Sequence, residues 1–491
     1  MAARGGCSAP PSRLPLLLVL SYALLAVAWV VGNPAGAAPD ETAHYLKGLA
    51  VAGGQPAGRP VDLAPSPGDS RREAWMKRTT RGVDVPAGLS PAGLQCNALL
   101  PLESAGCQVA ARPPDQPSKG LTHVGTHQPL LYVVPGLLAH AAHEPVTAIR
   151  LGRLGNAATC LALLALAVSV LWDRGAGALS VLGLVLAVTP MVVFLSSSLT
   201  PSGPEVAGGI CFFAALLRLG RPATDTGPVW AVLAVSGVVL ASSRSLGPLW
   251  VVLLALVAVA THGAKESWRT VRAGGRRAVW AWAAVAVAVA ASVAWELAVQ
   301  PHGRIDTAHL RHLLVPSVRQ LPEILKQQIG VFGSLDAAMP PIAYRCWSLA
   351  LLVLVVLAAR VAPRRPRAVL IALPLAVAAL TVAVAAVNRS QTGFGMQGRY
   401  VLAVAVAVPL LAGELLSRHR RADAVLPPRA LLSLGLAPAA GLHALGWYAN
   451  ARRSATGTDV GWLFIGRSEW SPGVGWYPLV ALVALAAALM A

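Results

Sequence analysis

The sequence predicts an all-α, polytopic membrane protein with about 12 transmembrane helices and a large first extracytoplasmic loop. Hydrophobic residues make up 55% of the 491 residues, and charged residues make up 12%, against about 25% in a typical soluble domain. The mean hydropathy of the chain is +0.60. Its apolar segments are rich in Ala, Val and Leu and lack the two-residue alternation of membrane barrel strands.

The predicted spans are apolar runs that are long enough to cross the hydrocarbon core of a bilayer. They are residues 14–32, 155–172, 177–197, 203–219, 228–242, 245–262, 278–299, 346–362, 367–387, 400–416, 429–447 and 474–490. The first run has a second interpretation as a signal peptide, because Ala35-Gly36-Ala37 resembles a cleavage site. The length of the run favours a retained helix.

The basic residues predict the orientation. A net charge of +19 is compatible with nucleic-acid binding, but most Lys and Arg lie in short loops, as expected on the cytoplasmic side, so we expect no nucleic-acid partner. Arg4 and Arg13 precede the first span, which predicts a plasma-membrane protein with both termini in the cytoplasm. Alternation from there places these basic loop residues in the cytoplasm: Arg174, Arg218, Arg221, Lys265, Arg269, Arg272, Arg276, Arg277, Arg364, Arg365, Arg367, Arg418, Arg420, Arg421 and Arg429.

This orientation depends on one segment, His127–His140, which must not cross the membrane. It is short and contains Pro129 and Pro135, so we expect it to lie along the outer surface. The predicted units are then the N-terminus with the first helix (1–32), a large outer loop with interfacial helices (33–154), a helix bundle (155–299), a second outer loop (300–345) and C-terminal helices (346–491) with an outer loop near 449–473.

Cysteine usage agrees with this topology. Cys96 and Cys107 both lie in the large outer loop, where an oxidising compartment makes them a candidate disulfide. No spacing of Cys and His predicts a metal site.

The most informative stretch is Pro39–Tyr45, which follows the first span. Only 21 residues of the chain are Asp or Glu, yet Asp40 and Glu41 stand side by side at the membrane exit. If a helix begins there, His44 lies one turn later on the same face. A carboxylate and an imidazole on one face can transfer a proton or hold a cation, although Asp40 is equally suited to cap the helix.

Further polar segments fall on the same predicted side, which indicates a single active site at the outer interface. They are Thr126–Tyr132, Ser196–Glu205, Ser242–Pro248, Gly333–Asp336 and Gln391–Tyr400.

Several side chains in these segments have two interpretations. Glu205 suits the dipole of a helix start or a phosphate-bound cation. Arg244 and Arg399 either extend to the interface or hold a lipid-linked phosphate in their planar fork of donors. Arg399 is favoured for phosphate because Gly398 beside it permits close backbone approach. His127 either begins an interfacial helix or binds substrate.

These motifs resemble those of a bacterial polytopic membrane family catalogued as domain of unknown function 2142. The matching pieces are Pro39-Asp40-Glu41 with His44, His127–Tyr132, Phe332–Asp336 and Gln397–Tyr400, and the resemblance covers nearly the whole chain. The family is similar in plan to the GT-C membrane glycosyltransferases. Those enzymes have an essential carboxylate and an interfacial helix in the first outer loop, and an acidic residue in the second.

The resemblance implies a GT-C-like inverting glycosyltransferase. It would move a sugar from a polyprenyl-phosphate donor in the membrane lipid to an envelope glycan or lipid acceptor on the extracytoplasmic side. Asp40 or Glu41 would be the catalytic base, and His44 would tune that carboxylate or contact the acceptor. Glu205 would be the second-loop acid, and a divalent cation shared between it and Asp40 or Glu41 is an optional cofactor. The expected substrate-binding residues are His127, Glu205, Arg244, Arg399 and Tyr400.

Two other functions remain open at this stage. A transporter or flippase for a lipid-linked sugar would place ionisable groups near the midplane and show internal repeats, whereas the predicted spans are almost free of charge. A non-catalytic envelope scaffold would not need carboxylates and arginines gathered on one face. The high Ala, Gly, Arg and Val content is typical of a high-GC organism and is compatible with an actinobacterial envelope.

Overall fold

The structure is a computed structural model that describes residues 13–108, 116–172, 178–221, 226–301, 307–419 and 428–491. Its α-helices are α1 Leu14–Gly32, α2 Glu41–Ala52, α3 Arg71–Thr79, α4 Val133–His140, α5 Pro145–Leu171, α6 Ala178–Ala187, α7 Pro190–Ser196, α8 Ser202–Leu219, α9 Gly227–Ala241, α10 Gly247–His262, α11 Ala264–Val299, α12 Thr307–Gly330, α13 Pro341–Val361, α14 Arg364–Thr392, α15 Leu402–Ala405, α16 Ala407–His419, α17 Pro428–Thr456 and α18 Trp476–Met490. Its strands are β1 Arg59–Pro60, β2 Arg81–Val85, β3 Ser118–Thr122, β4 Val331–Phe332 and β5 Ala337–Ala338.

The helices confirm the all-α polytopic fold. Within the described residues, eight helices are long and apolar enough to cross a membrane, and the pair α6–α7, bent by 70°, makes a ninth if it is one span. The eight are α1, α5, α8, α11, α13, α14, Leu402–His419 and Ala430–Thr456. The shorter apolar helices α9, α10 and α18 coincide with the remaining predicted spans.

Several helices extend beyond the predicted spans because their ends are polar. α5 begins at Pro145 rather than at residue 155, and α11 begins at Ala264 rather than at residue 278. The backbone of α11 is kinked at Gly275, where φ is 51° and ψ is −132°. Its charged first part therefore runs in a different direction from the apolar second part.

The helix α8 lies at the centre of the bundle. It packs against α5 and α9, and 94% of its residues are buried. Its sequence is rich in small residues, which let helices approach closely where lipid supplies no hydrophobic drive. Because Glu205 lies in its first turn, this central helix carries a carboxylate to one end of the bundle.

That end is the side at which α1 finishes, here called the exit side. The segment after α1 folds there as a layer in which α2 packs against α4 and against β2 and β3. The strands form an antiparallel sheet in the order β1-β2-β3, with Val83 opposite Gly120. Tyr45 and Leu49 of α2 share its core with Val83 and Val85.

The interfacial segment is too short to cross the membrane. Leu130–His140 is a continuous short apolar helix, about 16 Å long at 1.5 Å per residue, or half of the hydrocarbon thickness. Val134 and Leu137 on it are exposed. Its length and exposed apolar face agree with a helix that lies along the membrane surface.

Two cross-links stabilise the exit-side layer. The disulfide between Cys96 and Cys107 lies within the first loop, whereas Arg453 joins that loop to the bundle. Arg453, at the end of α17, pairs with Asp336 at 2.6 Å and donates to the backbone carbonyls of Asn97, Leu100 and Glu103. The first loop, the β4–β5 turn and α17 therefore meet at one guanidinium.

The basic loops gather at the opposite side of the bundle. Arg365 donates to the Ala260 carbonyl, and Arg418 donates to the Gly220 carbonyl, so loops that are distant in sequence lie together. Arg4, Arg174, Arg420 and Arg421 lie outside the described residues.

Candidate functional site

A cavity of about 910 Å³ opens on the exit side. Segments that are far apart in the sequence contribute its walls: the start of α2, the residues before α4, the start of α8, the α9–α10 turn and the chain after α14. The sequence-predicted residues that line the cavity are Asp40, His44, His127, Glu205, Arg244, Arg399 and Tyr400. Glu41 does not line it.

Asp40 presents its carboxylate at the mouth of the cavity. Its φ is 60°, and its side chain makes no capping hydrogen bond to α2. The side chain is 40% exposed, accepts a 2.8 Å hydrogen bond from Arg399 and lies 3.6 Å from His123 Nε2. Arg399 also donates to the Pro39 carbonyl at 3.3 Å. Asp40 therefore faces the cavity instead of capping the helix.

The surrounding groups keep Asp40 ionised. Burial opposes the charge, but the hydrogen bond from His123 and the positive charge of Arg399 hold the pKa of this carboxyl well below its usual value. A carboxylate with this environment is an acceptor of hydrogen bonds and protons that is present at all ordinary pH values.

Glu41 has a different environment. It is 0% exposed, and Arg153 of α5 binds both carboxylate oxygens, at 2.8 and 2.5 Å. The backbone N–H groups of Gly36 and Leu199 complete its hydrogen bonds. Although burial opposes its charge, Arg153 and the N–H group of Leu199 lower the pKa of Glu41. This ion pair joins α2, α5 and the α7–α8 turn, and it lies apart from the cavity.

A tyrosine connects the two predicted histidines. Tyr132 Oη lies 2.7 Å from His44 Nδ1 and 3.3 Å from His127 Nδ1. Burial, with a smaller contribution from nearby arginine charges, holds the pKa of each imidazole well below its usual value. Both rings are therefore neutral and can offer one donor and one acceptor nitrogen.

Glu205 and Arg244 face the cavity from the bundle. Glu205 is 1% exposed; Trp250 donates to its Oε1 at 3.1 Å, and its Oε2 has no hydrogen-bond partner within the described chain. Arg244 donates to Ser202 Oγ at 3.2 Å, and its guanidinium lies 4.5 Å from the centre of the Tyr400 ring.

Two arginines bring positive charge to the part of the cavity that also holds Asp40 and Glu205. The guanidinium of Arg399 lies 5.6 Å from the same Tyr400 ring, and its buried Nε has no partner within the described residues. Arg244 has no carboxylate within 4.0 Å in the parts of the chain that the structure describes. Two guanidinium groups beside one aromatic ring are suited to a phosphate.

The described part of the chain does not supply a metal-binding group. Among the described residues, no three His, Cys, Asp or Glu side chains are close enough to hold one ion. The carboxylate of Asp40 is also already paired with Arg399. The cation considered for Asp40 and Glu205 therefore has no prepared ligand set, and we assign no chemical step to it.

One wall of the cavity is apolar. Leu246 and Leu249 contribute to it at the start of α10, and Ala383, Val384 and Val387 contribute near the end of α14. Because α14 is long and apolar enough to span the membrane, this wall is built in part from a candidate membrane span.

Sequence reasoning missed four residues that shape the site. His123 lies beside Asp40, and its spacing of four from His127 was a signal. Tyr132 stood inside a recognised motif but was assigned no role. Trp250 and Arg153 gave no signal, because only the fold brings them to Glu205 and Glu41.

Residues 23–408 match the profile of the family described as "Predicted membrane protein (DUF2142)". Neither the curated proteins nor the solved structures yield a match.

Proposed function

The chain belongs to the DUF2142 family of predicted membrane proteins, and we propose that it is a GT-C-like inverting glycosyltransferase. It takes a sugar from polyprenyl phosphate and passes it to an envelope glycan or lipid on the extracytoplasmic face of an actinobacterial membrane. One observation carries the proposal: the half-exposed carboxylate of Asp40 touches the buried Arg399 at the mouth of a cavity with an apolar wall built in part from a candidate membrane span.

The cavity matches both parts of a lipid-linked donor. Arg399 and Arg244 offer guanidinium donors for the phosphate, with Tyr400 between them. Leu249 and Val387 belong to the apolar wall, along which a polyprenyl chain can lie while its headgroup reaches the arginines. A soluble nucleotide-sugar donor would not need that wall.

The chemistry uses Asp40 as general base. Its carboxylate accepts the proton of an acceptor hydroxyl while the hydroxyl oxygen forms a bond to the anomeric carbon. The bond between that carbon and the phosphate oxygen breaks, and its electron pair leaves with polyprenyl phosphate. The configuration inverts because attack and departure take place on opposite faces. Arg399 and Arg244 stabilise the charge that develops on the leaving phosphate.

Binding of the donor also prepares the base. In the structure Arg399 is shared between Asp40 and the cavity. A phosphate that draws this guanidinium toward itself leaves Asp40 with less positive charge around it, which raises the pKa of Asp40 and makes it a better proton acceptor. The base is then most effective when the donor is present.

The alternative function is transport of the same lipid-linked sugar. A transporter would use the arginines and the apolar wall but would not need a base. Replacement of Asp40 therefore distinguishes the two functions, because only the transferase needs this carboxylate as a base.

The test is transfer of radiolabelled sugar from a panel of polyprenyl-phosphate hexoses and pentoses into envelope material, using membranes with equal amounts of each variant. We expect Asp40→Asn to lower transfer about 10²-fold or more, the usual contribution of a general base. Asp62→Asn, on an exposed carboxylate of the same loop, is the matched control. Full transfer by Asp40→Asn would contradict the proposal. Donor movement between leaflets without transfer by any variant would establish the transporter.

A further inference from the structure

His44, His127 and Tyr132 form a hydrogen-bonded group in the wall of the cavity. Tyr132 is 2% exposed and His44 is 4% exposed. Tyr132 Oη contacts the Nδ1 atoms of both rings, at 2.7 Å for His44 and 3.3 Å for His127. Within the described chain these two nitrogens are the hydrogen-bond partners of the phenol.

Counting protons fixes the roles of the two rings. A neutral imidazole has one N–H and one lone pair, and a phenol has one O–H. Tyr132 can donate to only one Nδ1, so the other Nδ1 must carry its own proton and donate to Oη. If both rings donated, the buried phenol proton would have no acceptor, which is unfavourable. The two histidines therefore have opposite tautomers.

The distances favour one assignment of the tautomers. The 2.7 Å separation matches the usual length for an O–H donor, whereas the 3.3 Å separation lies just beyond the usual N–H range and marks the weaker contact. Tyr132 thus donates to His44 Nδ1, which leaves the proton of His44 on Nε2. His127 donates from Nδ1, which leaves a lone pair on its Nε2.

Both Nε2 atoms are available to a ligand. Each ring lines the cavity. Some atoms of the described chain are fully buried without a hydrogen-bond partner, and neither Nε2 is among them. The ring centres are 5.8 Å apart. The wall therefore presents one neutral donor beside one neutral acceptor.

We propose that His44 and His127 are a tautomer-locked pair that binds two neighbouring hydroxyl groups of a carbohydrate ring, one as donor and one as acceptor. The inference rests on the proposed function, and it assigns the acceptor sugar to this wall and the donor phosphate to the arginines. The lone pair of His127 disfavours an anion. A hydroxyl held by His44 lies one helical turn from Asp40, the base that must remove an acceptor proton.

The binding test uses the full-length protein in nanodiscs and a panel of methyl glycosides with their monodeoxy analogues, followed by saturation-transfer NMR. We expect His127→Ala and Tyr132→Phe to weaken binding of the best glycoside about tenfold, as for loss of one hydrogen bond. In these variants the preference for the hydroxyl over its deoxy analogue should disappear. Matched controls are His312→Ala and Tyr477→Phe, whose side chains are exposed elsewhere.

Asp40→Asn separates this inference from the proposed function, because it should lower transfer about 10²-fold while the dependence of glycoside binding on His127 and Tyr132 persists. Glycoside binding that depends on the histidine pair supports the inference even if no transfer is found. Equal binding by wild type, His127→Ala and Tyr132→Phe, or no glycoside binding at all, would overturn the ligand assignment. Solid-state ¹⁵N NMR of labelled histidine tests the tautomers directly. If both rings had the same tautomer, the proposed pairing of one donor with one acceptor would be overturned.

Discussion

Asp40 and Glu41 are adjacent in the chain, yet the structure gives them separate surroundings. Asp40 precedes α2 with a left-handed backbone, at φ 60°, whereas Glu41 is the first residue of the helix. One carboxylate therefore faces the cavity and Arg399, and the other faces the bundle and Arg153. A sequence that shows two carboxylates side by side cannot separate these roles, because the partner of Glu41 lies 112 positions away along the chain.

Glu41→Gln should affect folding more than chemistry. It leaves Arg153 charged and buried without its partner, a change that costs about 3–5 kcal/mol in buried ion pairs. We expect a lower yield of folded protein and a lower melting temperature in detergent, measured by fluorescence-detected size exclusion. Glu323→Gln is the control, because its pair with Lys326 is about half exposed on both sides and contributes at most about 1 kcal/mol. A stable, folded but inactive Glu41→Gln protein would instead place Glu41 in the reaction.

The pH profile should report the environment of Asp40. Burial alone would raise its pKa, but His123 and Arg399 hold the pKa below the usual value. The base therefore stays ionised, and we expect transfer to persist well into the acid range. Arg399→Gln removes a positive charge and must raise that pKa. We therefore expect the acid limb of the residual activity to move to higher pH.

Arg345→Gln, on an exposed arginine of α13, should leave the acid limb in place. An unchanged limb in Arg399→Gln would show that another group is the base.

At the scale of elements, the contact between α2 and α4 positions the site. Asp40 immediately precedes α2, His44 lies in its first turn, and the segment before α4 carries His127. The two helices meet at Gly48 and Gly136, where a Cβ atom on Gly136 would lie 2.2 Å from the Gly48 carbonyl oxygen. Only glycine permits this approach, so the distance between the two histidine-bearing segments depends on it.

Gly136→Ala should therefore separate α4 from α2 and disturb the His44–Tyr132 contact. We expect transfer to fall at least tenfold, with a lower melting temperature from overpacking of about 1–3 kcal/mol. Gly441→Ala in α17 is the matched control, since a Cβ there meets nothing within 4 Å and alanine favours the helix. Normal transfer by Gly136→Ala would show that the α2–α4 contact does not set the geometry of the site.

The elements also show what the sequence could predict. The apolar runs located the spans because hydropathy alone selects them. The hydropathy pattern missed the polar ends of α5 and α11, because these segments are helical without being apolar. The convergence of Asp40, Glu205, Arg244 and Arg399 followed from alternation of the spans, which requires no knowledge of contacts. Pairings such as Arg153 with Glu41 depend on helix rotation and packing, which the hydropathy pattern leaves undetermined.

At the scale of the whole molecule, charge is divided between the two ends. The cavity and the acidic motif lie on the exit side, and the loops that hold Arg218, Arg365 and Arg418 meet at the other end. Arg221 also pairs with Glu414 there. An excess of Lys and Arg marks the cytoplasmic side of membrane proteins, so the cavity should open outside the cytoplasm.

Cysteine labelling tests this orientation. In a background with Cys7 and Cys346 replaced by Ser, Ser66→Cys places a thiol on the exposed first loop and Lys265→Cys places one at the exposed start of α11. We expect a membrane-impermeant maleimide to label Ser66→Cys in intact cells and Lys265→Cys only after permeabilisation. Cys160 and Cys211 are buried, and Cys96 and Cys107 are bonded to each other, so the background should be silent.

The reverse labelling pattern would change the expected substrates as well as the orientation of the protein. It would place the cavity and its apolar wall at the cytoplasmic leaflet, where nucleotide sugars are also available as donors. Arg399 and Arg244 would still suit a phosphate, but the apolar wall beside Leu249 and Val387 would then suit a lipid acceptor as well as a lipid donor. The labelling experiment thus decides which classes of sugar donor the cavity can meet, and for that reason it should precede the choice of donors for the transfer assay.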